Sequence, residues 1–148
     1  MRSHERGETL LELVVAVAIM GVAIVGIIGG MGVGIMMSDI HRKQATAGTA
    51  ARDYAETAEA WVAAGHYDAG TAPDYTPATV HYTTPAGYTA TAVSVTCWNG
   101  VSAWQSCGST QKGLEQLTVQ VASADGRASE RIVVVLRKPC RLGDPLCS

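Results

Sequence analysis

The sequence predicts an α+β fold, in which one long N-terminal α-helix packs on a small antiparallel β-sheet. An uncharged run of 25 residues extends from Leu13 to Met37, and three segments rich in β-branched residues follow beyond residue 88. A helix of about 20 apolar residues crosses a bilayer, so the run predicts a membrane-spanning first half of the helix. The β-branched segments predict strands, because such side chains pack well on a pleated surface.

The predicted helix continues beyond the apolar run as an amphipathic stem, residues 38–65. No proline occurs before Pro73, and Gly65 is the expected C-terminal stop. Apolar or small residues recur in steps that place them on one helix face, which we expect to pack on the sheet: Ile40, Ala47, Ala51, Tyr54, Ala58 and Trp61. The alternative is two helices separated by a break near residues 34–38.

Proline, threonine and tyrosine dominate residues 66–87, which we interpret as a connector with a short strand near residues 79–83. The outer domain, residues 88–148, then contains the three predicted strands at 88–98, 116–122 and 130–138. Ala124–Arg127 carries a hairpin turn signal between the last two strands.

Four cysteines, an even number, all lie beyond residue 96. In an exported domain this predicts two disulfides, and three pairings are open. We favour the local pairing, Cys97–Cys107 with Cys140–Cys147, because short loops close at the lowest entropic cost. Free buried thiols are the alternative. No metal site is expected, because the cysteine spacings are not C-x-x-C and the histidines are scattered.

The residues before the apolar run form a compact motif. Arg2 and Arg6 precede Gly7, and Glu12 lies five positions beyond Gly7 at the start of the apolar pattern. This arrangement resembles the processing site of type IV prepilins and of the pseudopilins of type II secretion. The resemblance implies that a membrane-embedded prepilin peptidase removes residues 1–7 on the cytoplasmic side. Residues 8–37 then remain as the membrane and assembly helix of a pilin-like fold.

The same resemblance makes Glu8 the first mature residue, whose new amine is methylated in the family. The family usually has Phe or Met at this position. We expect the Glu12 carboxylate of one subunit to pair with the Glu8 amine of a neighbour during assembly, since pairing lowers the cost of burying either charge. The alternative is an interfacial Glu12 that only reaches the lipid headgroups.

Gly26, Gly30 and Gly34 repeat at intervals of four, a small-x-x-x-small pattern that lets membrane helices approach closely. We therefore predict a helix-packing face. The alternatives are glycines that are merely tolerated in a membrane helix, or a segment that unwinds when subunits pack.

The leading functional hypothesis is a structural subunit, a minor pilin or pseudopilin, of a type IV pilus or type II secretion-like filament. The implied partners are prepilin peptidase, other pilin or pseudopilin subunits, the inner-membrane assembly platform and the lipid bilayer. We expect no catalytic residues and no cofactor, since no phosphate loop or hydrolase motif occurs. Nucleic acid is not an expected partner, because residues from Ser38 onward carry 9 Lys and Arg against 10 Asp and Glu.

Two other hypotheses remain at this level. One is a single-pass membrane-anchored binding module that uses the tyrosine-rich connector and the Trp98–Trp104 loop. The other is a small domain secreted after an ordinary signal sequence. The two arginines before the apolar run favour a cytoplasmic N-terminus, which places the C-terminal domain outside the plasma membrane until the subunit joins a cell-surface filament.

Overall fold

A computed structural model describes residues 5–67, 70, 73–108 and 113–140, with side chains from Leu10 onward. The chain divides into two compact units, Met1–His41 and Arg42–Ser148. Helix α1, Glu5–Trp61, contributes to both units, and strands β1 (Tyr88–Trp98), β2 (Trp104–Gln105), β3 (Leu114–Ser123) and β4 (Ser129–Arg137) belong to the second. The α+β architecture predicted from the sequence is confirmed.

The first unit contains an apolar stretch of α1 whose side chains are exposed in the described part of the chain. Between Leu10 and Met37 every large hydrophobic side chain is 49–76% exposed. The helix is unbroken over residues 34–38, so the predicted alternative of two separate helices is wrong. Among the described residues, this is the one helix long and apolar enough to cross a membrane.

In the second unit, the stem part of α1 packs on the sheet through a narrow stripe of small residues. Ala47, Ala51, Tyr54 and Ala58 from the predicted face are buried, while Trp61 is half-buried. Alanine side chains let a helix backbone lie close to a strand, and the large Tyr54 ring then fills the remaining space. Beyond α1 comes a π-type turn, Val62–His66, in which Gly65 has φ 104°. The α-helix thus ends at Trp61, before the expected stop at Gly65. Glycine adopts this left-handed conformation without a steric penalty, so Gly65 accounts for the break in helical geometry within the turn.

The sheet is antiparallel with the strand order β2-β1-β3-β4. Strand β3 lies at its centre, where Leu117, Val119 and Val121 are fully buried against the helix. The intervening residues of β3 face the other way, which is the alternation expected for a sheet with one buried face. Strand β4 continues the pattern, with Leu136 buried and Val133 exposed.

Two local predictions were wrong or incomplete. Residues 77–81 form turns rather than a strand, and His81 has φ 59° there. The two-residue strand β2, which was not predicted, pairs with the end of β1 through Cys97–Gln105 and Trp98–Trp104. Its pairing depends on the hairpin and disulfide around it rather than on any periodicity of its own.

The connector is fastened to the rest of the second unit by tyrosine hydroxyls. Tyr54 donates to the Tyr75 carbonyl at 2.7 Å, and Tyr82 donates to the Ala50 carbonyl at 2.8 Å. Tyr54 and Tyr82 also stack with ring centroids 4.8 Å apart. Burial raises the pKa of the Tyr54 phenol well above its usual range, so this donor keeps its proton at any physiological pH.

Tyr75 is 1% exposed, and its hydroxyl donates to the fully buried Glu115 carboxylate at 2.6 Å. The Glu115 carboxylate also lies 3.9 Å from Cys97 Sγ, which is a packing contact because a disulfide sulfur has no proton to donate. A residue that looked like part of a surface loop is therefore part of the core.

Removing the Tyr75 hydroxyl is expected to destabilise the second unit. In Tyr75→Phe the carboxyl group of the fully buried Glu115 loses a hydrogen-bond donor, which costs about 1–3 kcal/mol. Urea unfolding of the full chain in detergent measures this loss. Tyr82→Phe is the matched control, because it removes a hydroxyl bonded to a neutral carbonyl and should cost only about 1 kcal/mol. Equal effects of the two substitutions would contradict the role assigned to the Tyr75–Glu115 contact.

Candidate functional site: the N-terminal helix and its processing motif

The predicted processing residues lie at the start of α1. The helix begins at Glu5, so the Gly7 and Glu8 backbones belong to its first turns, while their side chains lie outside the described part of the chain. Glu12 is exposed, is the third residue with a described side chain, and is followed by the uncharged helix surface. The Glu12 carboxylate thus lies at the N-terminal end of the apolar part of α1. Its pairing with the Glu8 amine stays a prediction.

The three glycines at intervals of four are helical and open. A Cβ atom built on Gly26, Gly30 or Gly34 meets nothing within 4 Å. No contact with the residues that the structure describes therefore accounts for these glycines. The predicted packing against another helix is compatible with this opening and stays a prediction.

The second unit carries a hairpin tip, Asn99–Ala103, that is held by an unusual number of local bonds. The Asn99 side-chain oxygen accepts from the backbone N–H groups of Val101, Ser102 and Ala103 at 2.9, 3.0 and 3.2 Å. The Asn99 N–H donates to the Ala103 carbonyl at 3.1 Å. The predicted turn at Asn99–Gly100 is therefore present, with Gly100 at φ 84°.

At the base of this hairpin Trp98 and Trp104 meet edge to face, with ring centroids 5.4 Å apart. The predicted Cys97–Cys107 disulfide closes the loop around them. Both tryptophans are half-buried, whereas Val101 at the tip is 82% exposed. The other predicted pairing, Cys140–Cys147, stays a prediction, because Cys147 lies outside the described residues.

No grouping of three or more His, Cys, Asp or Glu side chains suited to a metal ion occurs within the residues whose placement is described. The carboxylates with shifted pKa values there have structural partners instead. Hydrogen bonds from the Thr76 N–H and the Thr79 hydroxyl hold the pKa of the Asp74 carboxyl below its usual range and fasten the turn that follows. This arrangement satisfies the carboxylate within its own loop.

Asp125 joins the β3–β4 turn to the stem helix. Lys43 Nζ donates to its Oδ2 at 2.5 Å, and the Ser123 hydroxyl donates to its Oδ1 at 2.7 Å. These bonds hold the pKa of the Asp125 carboxyl well below its usual range. Lys43 and Asp125 are 82 residues apart, so no local sequence signal revealed this contact.

The Lys43–Asp125 contact predicts a pH dependence of stability. A carboxyl whose pKa is lower in the folded state stabilises that state fully above its unfolded pKa of about 3.9, and this contribution declines below that pH and is lost as the pH falls through the folded pKa. Asp125→Asn should therefore lower the unfolding midpoint most at about pH 7, less at about pH 3, and less again at lower pH. Thermal unfolding of both proteins in detergent checks this, with Glu59→Gln as the control for loss of one exposed carboxylate. An undiminished difference in acid would contradict the contact.

An apolar N-terminal helix followed by a disulfide-containing α+β domain is typical of proteins that are anchored in a membrane by a single helix. Residues 2–28 match the family model described as the prokaryotic N-terminal methylation motif. The chain thus carries the prepilin-type cleavage and methylation signature predicted from Gly7 and Glu12, which points to a type IV pilin-like or pseudopilin-like protein. No curated protein and no solved structure matches this chain.

Proposed function

We propose that this chain is a structural subunit, a minor pilin or pseudopilin, of a type IV pilus or type II secretion-like filament. Prepilin peptidase cleaves it after Gly7, and the subunit assembles through α1. Its function is assembly, without a reaction of its own. A pilin-like motif suggests a structural subunit rather than an enzyme.

One observation carries the proposal: the methylation motif leads directly into an unbroken helix whose apolar side chains have no partner. Between Leu10 and Met37 these side chains remain half or more exposed. Water is a poor solvent for such a surface, at about 25 cal/mol for each Å² exposed. Lipid covers it before assembly, and the helices of neighbouring subunits cover it afterwards.

Glu12 gives the proposed assembly its register. Cleavage after Gly7 creates a positively charged amine at Glu8, four residues before Glu12 in the same helix. In a bundle of such helices, the carboxylate of one subunit pairs with the amine of a neighbour. A neighbour displaced along the axis would leave both charges unpaired in an apolar surrounding, which is strongly unfavourable.

We infer that the second unit lies outside the plasma membrane. Arg2 and Arg6 precede the span, and basic residues flanking a span favour the cytoplasmic side. The Cys97–Cys107 disulfide supports the same orientation, because disulfides form and persist in oxidising compartments outside the cytoplasm.

Mass spectrometry of the mature N-terminus tests the proposal. Membranes from cells that contain an active prepilin peptidase should yield a chain beginning at Glu8, with or without a methyl group on its amine. A chain that begins at Met1 would instead support a membrane-anchored protein that is never processed. A chain beginning near Asp39 would support secretion after an ordinary signal sequence.

The hairpin favours a second candidate, a membrane-anchored binding module. Its tip is ordered by local hydrogen bonds before any partner arrives, and preorganisation of this kind reduces the entropic cost of binding. The tyrosine-rich connector contributes less to this candidate than the sequence indicated, because Tyr75 is buried and the Tyr82 hydroxyl is bonded to α1. This candidate would be favoured if the purified chain begins at Met1 and if Val101→Asp, at the hairpin tip, abolishes binding of the chain to its partner.

A further inference from the structure

Two exposed faces of the second unit carry opposite charges. The first, which we call the basic strand face, consists of Arg131, Val133, Val135 and Arg137 on the outward side of β4. Val133 and Val135 are 54% and 48% exposed, and both arginines are exposed. The adjoining outward residues of β3 are uncharged, namely Gln116, Thr118 and Gln120. The face therefore has a formal charge of +2 around an apolar centre.

The second, the acidic helix face, lies on the exposed side of α1. It consists of Arg52, Asp53, Glu56 and Glu59, together with the small residues Ala60 and, in the π-type turn that follows α1, Ala63, all of which are exposed. Its formal charge is −2. Neither Glu56 nor Glu59 forms an ion pair within the described residues, and Arg137 on the strand face does not either. Charges of both signs are thus left for a partner.

The two faces lie on opposite sides of the second unit. Helix α1 covers the inner face of the sheet, where Leu117 and Val119 are buried, so its exposed side points away from the sheet. The basic strand face is on the outward side of that same sheet. A single copy therefore cannot bring its own two faces together.

We propose that the basic strand face of one copy docks on the acidic helix face of a second copy of this chain. The occupant follows from charge complementarity: the second unit carries +2 on one face and −2 on the other, with two valines between the arginines and two alanines beyond the carboxylates. Contacts between two different faces are heterologous, so they can repeat from copy to copy, as a helical filament requires. The inference deepens the proposed function, since filament assembly through α1 would bring such copies side by side.

Carbodiimide cross-linking tests the contact, because this reagent joins an amine to a carboxylate only when the two touch. Two forms of the full chain are expressed together in cells with an active peptidase and assembly machinery. The first carries Arg131→Lys and Arg137→Lys to supply amines without changing the charge, and Glu56→Gln and Glu59→Gln to remove its own acceptors. The second form is unchanged. A link between a β4 lysine and Glu56 or Glu59 then necessarily joins two copies.

We expect this link in peptide maps of processed protein. Raising the salt to about 1 M, where the Debye length is about 3 Å, should reduce its yield several-fold. In a matched control, the first form carries Arg127→Lys in place of Arg131→Lys and Arg137→Lys. Arg127 lies in the turn beside Asp125, away from the strand face, and the control should give no link to Glu56 or Glu59.

A complementary swap provides the second measurement. Arg131→Glu with Arg137→Glu should reduce association of the second units, and a partner carrying Glu56→Arg and Glu59→Arg should restore it. Exposed ion pairs contribute little, so we expect up to about five-fold in yield for each pair.

The N-terminal mass measured in the same samples separates the two proposals. A chain that starts at Glu8 but gives no link between copies overturns the docking proposal and leaves the proposed function standing. A link from the β4 lysines to a different protein also overturns it. A chain that keeps residues 1–7 overturns the proposed function and the docking proposal with it.

Discussion

Replacing Gly7 with leucine is expected to leave the first seven residues attached to nearly all of the protein. Gly7 is the residue at which the matched motif implies cleavage, and a peptidase site built around a glycine has no space for a branched side chain. Each 1.4 kcal/mol of lost transition-state stabilisation slows cleavage about ten-fold, so a steric clash of a few kcal/mol suffices. Intact mass spectrometry of the membrane fraction measures the ratio of precursor to mature chain.

Gly21→Leu is the matched control for this experiment. It makes the same change farther along α1, where a Cβ meets nothing within 4 Å, and should be processed normally. Normal processing of Gly7→Leu would contradict the assigned cleavage position. A defect in both variants would show that leucine disturbs the helix rather than the peptidase site.

Replacing Glu12 with valine is expected to separate processing from assembly. Valine suits a membrane helix, so insertion and cleavage after Gly7 should proceed. In the filament, however, the Glu8 amine of the neighbour would be buried without a partner. Removing one member of a buried ion pair costs about 3–5 kcal/mol, so incorporation should fall by at least about 100-fold. Shearing filaments from cells and quantifying the subunit in the sheared and membrane fractions measures this.

Glu12→Asp is the control, because it keeps the negative charge on a side chain one methylene shorter and should retain much of the incorporation. If Glu12→Val assembles as well as the unchanged chain, the charge pairing has no role in assembly, although Gly7 can still be the cleavage site. The Gly7 and Glu12 experiments thus fail independently of each other.

The elements with a strong local period were predictable from the sequence. The uncharged run predicted the first half of α1, steps of three and four predicted its buried stripe, and alternation predicted the buried face of β3. Strand β2 was missed because two residues have no detectable period. Buried Tyr75 and Val80 were missed because prolines around them indicated a surface loop, whereas tertiary hydrogen bonds and packing place this loop against the core.

The candidate site divides in the same way. The processing motif is contiguous, so the resemblance to prepilins that assigns Gly7 and Glu12 could be seen in one short segment of the sequence. The contacts that organise the second unit join distant residues: Tyr75 and Glu115 are 40 positions apart, and Lys43 and Asp125 are 82 apart. Neither pair leaves a signal in any short window of sequence. The fully buried Glu115 in particular would be assigned to the solvent side of a strand without its partner.

The oxidation state of Cys97 and Cys107 reports whether the second unit has reached an oxidising compartment. Both sulfurs are thiols when the chain leaves the ribosome, and they become unreactive toward alkylating reagents once the bond has formed. If the second unit crosses the membrane as proposed, freshly made chains label with a maleimide at both positions and delivered chains at neither. Pulse-labelling would then measure the rate at which the second unit crosses the membrane, independently of peptidase cleavage and of filament growth.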